Sequence, residues 1–226
     1  MLMCLDTSGP SASLALLRDG QLIYEATLVN KLTHSVNLMP MAEEALRASD
    51  LAMKEMDYFA AVVGPGSFTG VRIGVAAAQA MALGLDKRCM AVDALEALAE
   101  GLCGSDHVIC PIRDARVGQV YGAAFQQGSR LMEDAALKLP EYLEKIRPLG
   151  DRFLFVGDGA PVYEAAIREA LGDRAEFAPP HLNLLKAGAA AMLAWRGREN
   201  SLLPQELLPL YLRRPQAERE REAKRG

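Results

Sequence analysis

The chain has 226 residues, half of them apolar, and a formal net charge of −4. That length supports an ordinary buried core in one or two domains, and the mild acidity excludes a surface whose whole field attracts nucleic acid. Four cysteines without a C-x-x-C pair, no apolar run of about 18 residues and a strand pattern from residue 2 predict a reduced, cytoplasmic chain with no membrane span and no signal peptide.

Leu2–Asp6 reads as a strand ending in Asp6-Thr7-Ser8-Gly9. Two more strands, Ala12–Leu17 and Gln21–Val29, are joined by the Asp19-Gly20 hairpin signal. The default role of Asp6 is an Asx cap of its turn. Leu32–Met41 then runs into a helix over Ala42–Ala48, and Pro40 either occupies a first turn or kinks a longer helix. His34 has Leu38 four residues ahead and Asn30 four behind, so no histidine pair stands on one helix face. It reads as a cap or interface residue, and no metal site is expected.

Tyr58–Val63 is the next strand, and it delivers the chain into Gly64-Pro65-Gly66-Ser67-Phe68-Thr69-Gly70-Val71-Arg72-Ile73-Gly74. Glycines and a proline make a tight strand-to-helix turn. Ser67 and Thr69 are both N-cap types, which predicts backbone N–H groups gathered where an anion could sit. No lysine follows, so this is not a Walker A loop, and Pro65 rules out a G-x-S-x-G elbow. A helix is expected from Val71 to Leu83. Arg72 in its first turn opposes the helix dipole, which points to a carboxylate or phosphate from elsewhere, or to an acid of this chain. Gly70, Gly74 and Ala78 recur at i, i+4 and i+8, the spacing of a close helix contact, and burial on at least two faces is expected, one against a partner.

Cys89–Val92 is a short strand, and Asp93 to Glu96 matches a capping box. Gly101–Asp106 is the expected boundary between halves. Beyond it, His107–Ile112 and Gln119–Phe125 are strands around the turn Arg113-Asp114-Ala115-Arg116, with Asp114 expected to pair with Arg113 or Arg116. Pro140–Arg147 reads as a helix and Phe153–Val156 as a strand. Gly157-Asp158-Gly159 then precedes a helix over Val162–Leu171. An alanine-rich helix over Asn183–Arg196 is expected to cross back to the first half. Residues 214–226 mix both charge signs and read as a disordered, solvated tail.

The loop G-P-G-S-F-T-G-V-R-I-G resembles the signature of the bacterial TsaB (YeaZ) family. D-A-R-x-G-x-V-Y from Asp114 to Tyr121 is a second shared landmark, with Val117 and Gln119 where members usually carry Met and Glu. P-x-Y-L-R from Pro209 to Arg213 is a third. The resemblance implies an α/β, actin-like (sugar kinase/Hsp70) two-lobed fold, with a mixed sheet and flanking helices in each lobe. Residues 1–103, completed by a returning segment at about 183–212, would form the first lobe and 104–182 the second. In that fold Asp6, Thr7, Gly66, Ser67, Asp114, Gly157, Asp158 and Gly159 would line a vestigial nucleotide cleft.

The resemblance also implies a role without catalytic residues, metal or cofactor. Such a chain pairs with a homologous, metal-bearing TsaD-like subunit and a TsaE-like ATPase. Together they transfer threonylcarbamoyl from threonylcarbamoyl-AMP to the adenosine beside the anticodon, so that tRNA is met only through the complex. The docking face would comprise His34, Ser35, Leu38, Met39 and Ala42 on one helix, with Gly70, Arg72, Ile73, Gly74, Ala77, Ala78 and Met81 on the other. Without the partner, the same face would form homodimers. Two alternatives remain: a stand-alone ATP-dependent enzyme using Asp6 and Asp114 with Mg²⁺, and a peptidase, for which neither a zinc pair nor an activated Ser or Cys is found.

Overall fold

The structure is a computed structural model describing residues 1–30 and 32–213; the expected tail, 214–226, lies outside the described residues. Strand β1 (Leu2–Asp6) shows how the first sheet forms. All five residues are buried, with Leu2 and Cys4 in one apolar cluster and Met3 and Leu5 in another, because side chains alternate across a strand. A strand buried on both faces must lie mid-sheet. β1 pairs antiparallel with β2 (Ala12–Arg18) and parallel with β4 (Tyr58–Gly64). With β3 (Gln21–Leu28) and β5 (Arg88–Asp93) the order is β3-β2-β1-β4-β5.

Helices α1 (His34–Ala48) and α2 (Phe68–Gly84) cover one face of this sheet. Pro40 is accommodated inside α1 rather than at its start. On the other face lie α3 (Ala94–Glu100) and α6 (Ala187–Arg196), whose Leu95, Leu98, Ala190, Ala191 and Ala194 share a cluster with Leu2, Cys4, Ala60 and Val62. That cluster continues into a second sheet through Ile109, Ala123 and Phe125.

The second sheet contains β6 (Val108–Asp114), β7 (Gln119–Gln126), β8 (Ser129–Lys138), β9 (Phe153–Val156) and β10 (Ala175–Phe177), in the order β10-β9-β6-β7-β8. Its far face packs on α4 (Leu139–Ile146) and α5 (Gly159–Leu171), where Tyr142, Phe153, Phe155 and Ile167 are fully buried. The result is five layers, with α3 and α6 between the sheets.

Several elements differ from expectation: α1, α2 and α5 start earlier than predicted, and β10, like β8, is not foreseen in the sequence. The last helix begins at Ala187, not Asn183, because distant side chains fix its start. Ser13 Oγ accepts from Ala187 N (2.9 Å) and Glu25 Oε1 from Gly188 N (2.6 Å), while Asn183 Oδ1 accepts from Gly157 N (3.1 Å). Strand β8 has no counterpart in the sequence reading; its polar, partly exposed pattern comes from its place at a sheet edge.

Candidate functional site

Three turns converge where the two sheets meet: the β1–β2 turn, the Gly64–Ser67 loop and the Gly157–Gly159 turn. Arg113 of β6 lies among them and is 3 % exposed. Its Nη1 donates to Ser8 Oγ (2.7 Å) and to the Pro65 carbonyl (3.1 Å), and its Nε donates to Asp158 Oδ1 (3.2 Å). A methyl group on Gly66 would come within 2.8 Å of Nη1 and 2.3 Å of the Ser8 carbonyl, so side-chain-free residues are what let the loops close round the guanidinium. Asp158 spends its carboxylate on this contact and does not cap α5.

Asp6 is wholly buried. Its Oδ1 accepts from Ser8 N (2.8 Å) and Ser8 Oγ (2.5 Å), whereas Oδ2 has no partner among the described residues. Burial pushes the Asp6 carboxyl above its ordinary range, against the pull of Arg113 and Ser8. Thr7 Oγ1 donates to the Gly70 carbonyl (2.7 Å), which ties the turn to α2.

The expected anion cradle at Ser67 is not formed. Ser67 N donates to the Ser8 carbonyl (2.8 Å), and Ser67 Oγ caps Gly70 N (3.2 Å). Two of the loop's donors, Ser67 N and Gly70 N, are therefore engaged within the chain. Asp114 pairs with neither expected arginine side chain. Its Oδ1 accepts from the backbone N–H of Arg116 (2.9 Å) and from Tyr163 OH (2.9 Å), while Arg113 turns to Asp158. Thus Asp6, Thr7, Gly66, Ser67, Asp158 and Gly159 are gathered round Arg113, and Asp114 is held apart by Tyr163. Sequence reasoning placed Arg113 in a turn as a partner of Asp114 and missed it as the residue the loops close round. The signal available was a cation in the last-but-one position of a buried strand.

The small-residue stripe of α2 faces inward, which corrects the docking ridge. A Cβ on Gly70 would lie 2.0 Å from the Thr7 carbonyl oxygen, and one on Gly74 2.7 Å from Thr7 Oγ1; Ala78 is fully buried. Leu38 and Ala42 are likewise buried under α1 against the chain's own sheet. His34 donates from Nε2 to the Gly9 carbonyl (2.9 Å). Ser35, Met39 and Arg72 are exposed, and Ile73, Ala77 and Met81 half-buried. The exposed row of α2 is Arg72, Ala76 and Ala80. Because α2 begins at Phe68, Arg72 lies one turn further in than expected, where the dipole fades. It finds no acid among the described residues.

Cavities of about 620 and 630 Å³ lie away from this junction's centre, one between α3, α6 and Phe125, the other beside Asp158, Phe177 and Pro180. Among the described residues no cluster of three or more His, Cys, Asp or Glu could hold a metal ion, and no helix is long and apolar enough to cross a membrane.

The family model for TsaD, tRNA N6-adenosine threonylcarbamoyltransferase, matches residues 28–221. The tRNA threonylcarbamoyladenosine biosynthesis protein TsaB of Bacillus subtilis (strain 168) is 34% identical over 229 residues, spanning 96% of each chain. The structure of YeaZ from Pseudomonas aeruginosa superposes with a TM-score of 0.76 at 28% identity, covering 93% of this chain and 99% of that one. The inorganic polyphosphate/ATP-glucomannokinase of Arthrobacter sp. strain KM, at 10% identity and a TM-score of 0.51, covers 86% of this chain and 98% of its own, and shares the actin-like fold alone.

Proposed function

Because the chain belongs to the TsaB (YeaZ) family of tRNA threonylcarbamoyladenosine biosynthesis proteins, we propose that it serves as the non-catalytic member of a pair with a homologous TsaD-like subunit. In this reading the subunit and a TsaE-like ATPase perform the transfer to tRNA in the cytoplasm, and this chain presents a fixed docking surface. The two sheets act as its two lobes, 1–103 with 183–212 and 104–182.

The observation that carries the reading is Arg113. A transferase cleft needs room for its donor and positioned groups round it. Here the space between the loops holds a guanidinium already engaged by Ser8, Pro65 and Asp158, and two of the helix-start donors, Ser67 N and Gly70 N, are bonded within the chain. What remains outward is the α1–α2 face: Ser35, Val36 and Met39 with Arg72, Ile73, Ala76 and Ala80. Val36 is 55 % and Met39 41 % exposed, which suits a surface that is covered in an assembly.

The test is reconstitution of tRNA modification with the TsaD-like subunit and ATPase held constant, with and without this chain. Modification should require it, and Asp6→Ala should leave ATP hydrolysis by the purified single chain at background. An Asp6-dependent ATPase of the lone chain would favour the enzyme reading instead.

A further inference from the structure

Resting on that docking reading, we infer that Arg72 is a pre-oriented anchor for a carboxylate of the partner subunit, held in place by the chain's own C-terminal segment. Residues 204–213 run along α2 and across the glycine loop. Gln79 Nε2 donates to the Pro204 (2.9 Å) and Leu207 (3.0 Å) carbonyls, Leu210 N donates to the Val63 carbonyl (2.7 Å), and Arg213 Nη1 reaches the Ala115 carbonyl (2.8 Å). The segment is thus tied to both sheets. It brings Tyr211 onto Phe68, with ring centroids 4.6 Å apart.

These two rings set the orientation of Arg72. Its guanidinium carbon stands 3.8 Å from the Phe68 ring centroid and 5.7 Å from that of Tyr211, and its Nε donates to Tyr211 OH (2.8 Å). One face of the guanidinium is therefore held against the Phe68 ring and one edge against the phenol: the ring contact restricts the plane and the hydrogen bond the rotation. The terminal Nη groups donate to no acceptor among the described residues, and the side chain is exposed. A planar fork with its two outer N–H groups unspent matches a carboxylate in bidentate geometry. Fixing it beforehand lowers the ordering cost of association.

The surroundings select a protein carboxylate over an RNA phosphate. Arg72 is the only charged residue in α2, and the row continuing from it, Ala76 and Ala80, is small and uncharged. Such a row admits another polypeptide at close range. The neighbouring outer face of α1 carries Glu43 and Glu44 with Arg47 bound to Glu44. RNA binding draws on several cations acting together, and among the described residues this face offers one that is not paired with an acid.

The experiment measures the affinity of full-length protein for the organism's TsaD-like subunit, for a tRNA transcript and for itself, with Arg72→Gln, Arg72→Lys, Arg72→Glu and Tyr211→Phe. Arg72→Gln should weaken subunit binding ~10-fold or more, Arg72→Glu further, and Arg72→Lys should recover only part. Tyr211→Phe, which keeps the stack and removes the phenol, should cost ~3-fold. Melting temperatures should fall by only a few degrees for the Arg72 variants, since what is lost within the chain is one exposed cation–π contact and one hydrogen bond. Subunit binding by Arg72→Gln within two-fold of the unaltered protein overturns the inference and leaves the docking reading intact. A selective loss of tRNA binding overturns it in favour of a phosphate contact, and a selective loss of self-association overturns it in favour of a second copy. Failure of the unaltered protein to bind the subunit overturns the docking reading and this inference with it.

Discussion

Replacing Gly70 by alanine tests the central contact of the first sheet. The added Cβ would lie 2.0 Å from the Thr7 carbonyl oxygen, against about 3.4 Å for an ordinary close contact, so backbone must part from backbone by about 1.4 Å. Neither side yields easily. Thr7 directly follows β1, which is hydrogen-bonded on both sides, and α2 is pinned to the same turn by Ser67 N and the Thr7 hydroxyl. Overpacking costs ~1–3 kcal/mol. Pulling the Thr7 hydroxyl off the Gly70 carbonyl costs a further ~1–3 kcal/mol because both groups are buried. Helix propensity returns at most ~1 kcal/mol. The net expectation is a loss of about 2–4 kcal/mol, read as a lower denaturant midpoint at unchanged slope. Gly84→Ala, at the other end of the same helix with nothing within 4 Å of its Cβ, is the control and should be neutral or stabilising by up to ~1 kcal/mol. If Gly70→Ala shifts stability by less than about 0.5 kcal/mol, the inward assignment of the stripe is refuted.

Arg113→Ala should remove about 2–4 kcal/mol, because it strips Ser8 and the Pro65 carbonyl of a donor and leaves the partly exposed Asp158 unpaired; unfolding at equilibrium checks it, and a loss below ~1 kcal/mol would mean that the guanidinium does not join the sheets. Stability should fall as pH rises from about 5 to about 8. Burial and the adjacent Asp134 push Asp93 up from 3.8 to about 8 and burial raises Asp6, so the native state holds protons that the unfolded chain has released. The slope should reach up to ~1.4 kcal/mol per pH unit for such a group, and Asp134→Asn should flatten it; a level profile in the unaltered protein contradicts a carboxyl at Asp93 that stays protonated in the fold. Tyr142→Phe should cost ~1–2 kcal/mol by leaving the Ala123 carbonyl without its 2.7 Å donor inside the second core, measured the same way.

Much of this protein is written locally. The alternation that buries Leu2, Met3, Cys4 and Leu5 on both sides of β1, the Asp19-Gly20 hairpin and the Asp93 cap all depend on neighbours within a few residues, which is the range over which pattern and turn chemistry act. The landmarks from Gly64 to Gly74, Asp114 to Tyr121 and Pro209 to Arg213 likewise sufficed to point to the family. Which face of α2 looks outward was not decided at that range. A helix small on every side carries no amphipathic signal, so its rotation is set by what it meets, and Thr7 takes the Gly70–Gly74 side while Ala76 and Ala80 are left to solvent. The start of α6 is set by Ser13 and Glu25, more than 160 residues away. Arg113 is the sharpest case: its three partners, Ser8, Pro65 and Asp158, come from separate stretches of the chain, and only their convergence turns an ordinary cation on a strand into the filling of the cleft.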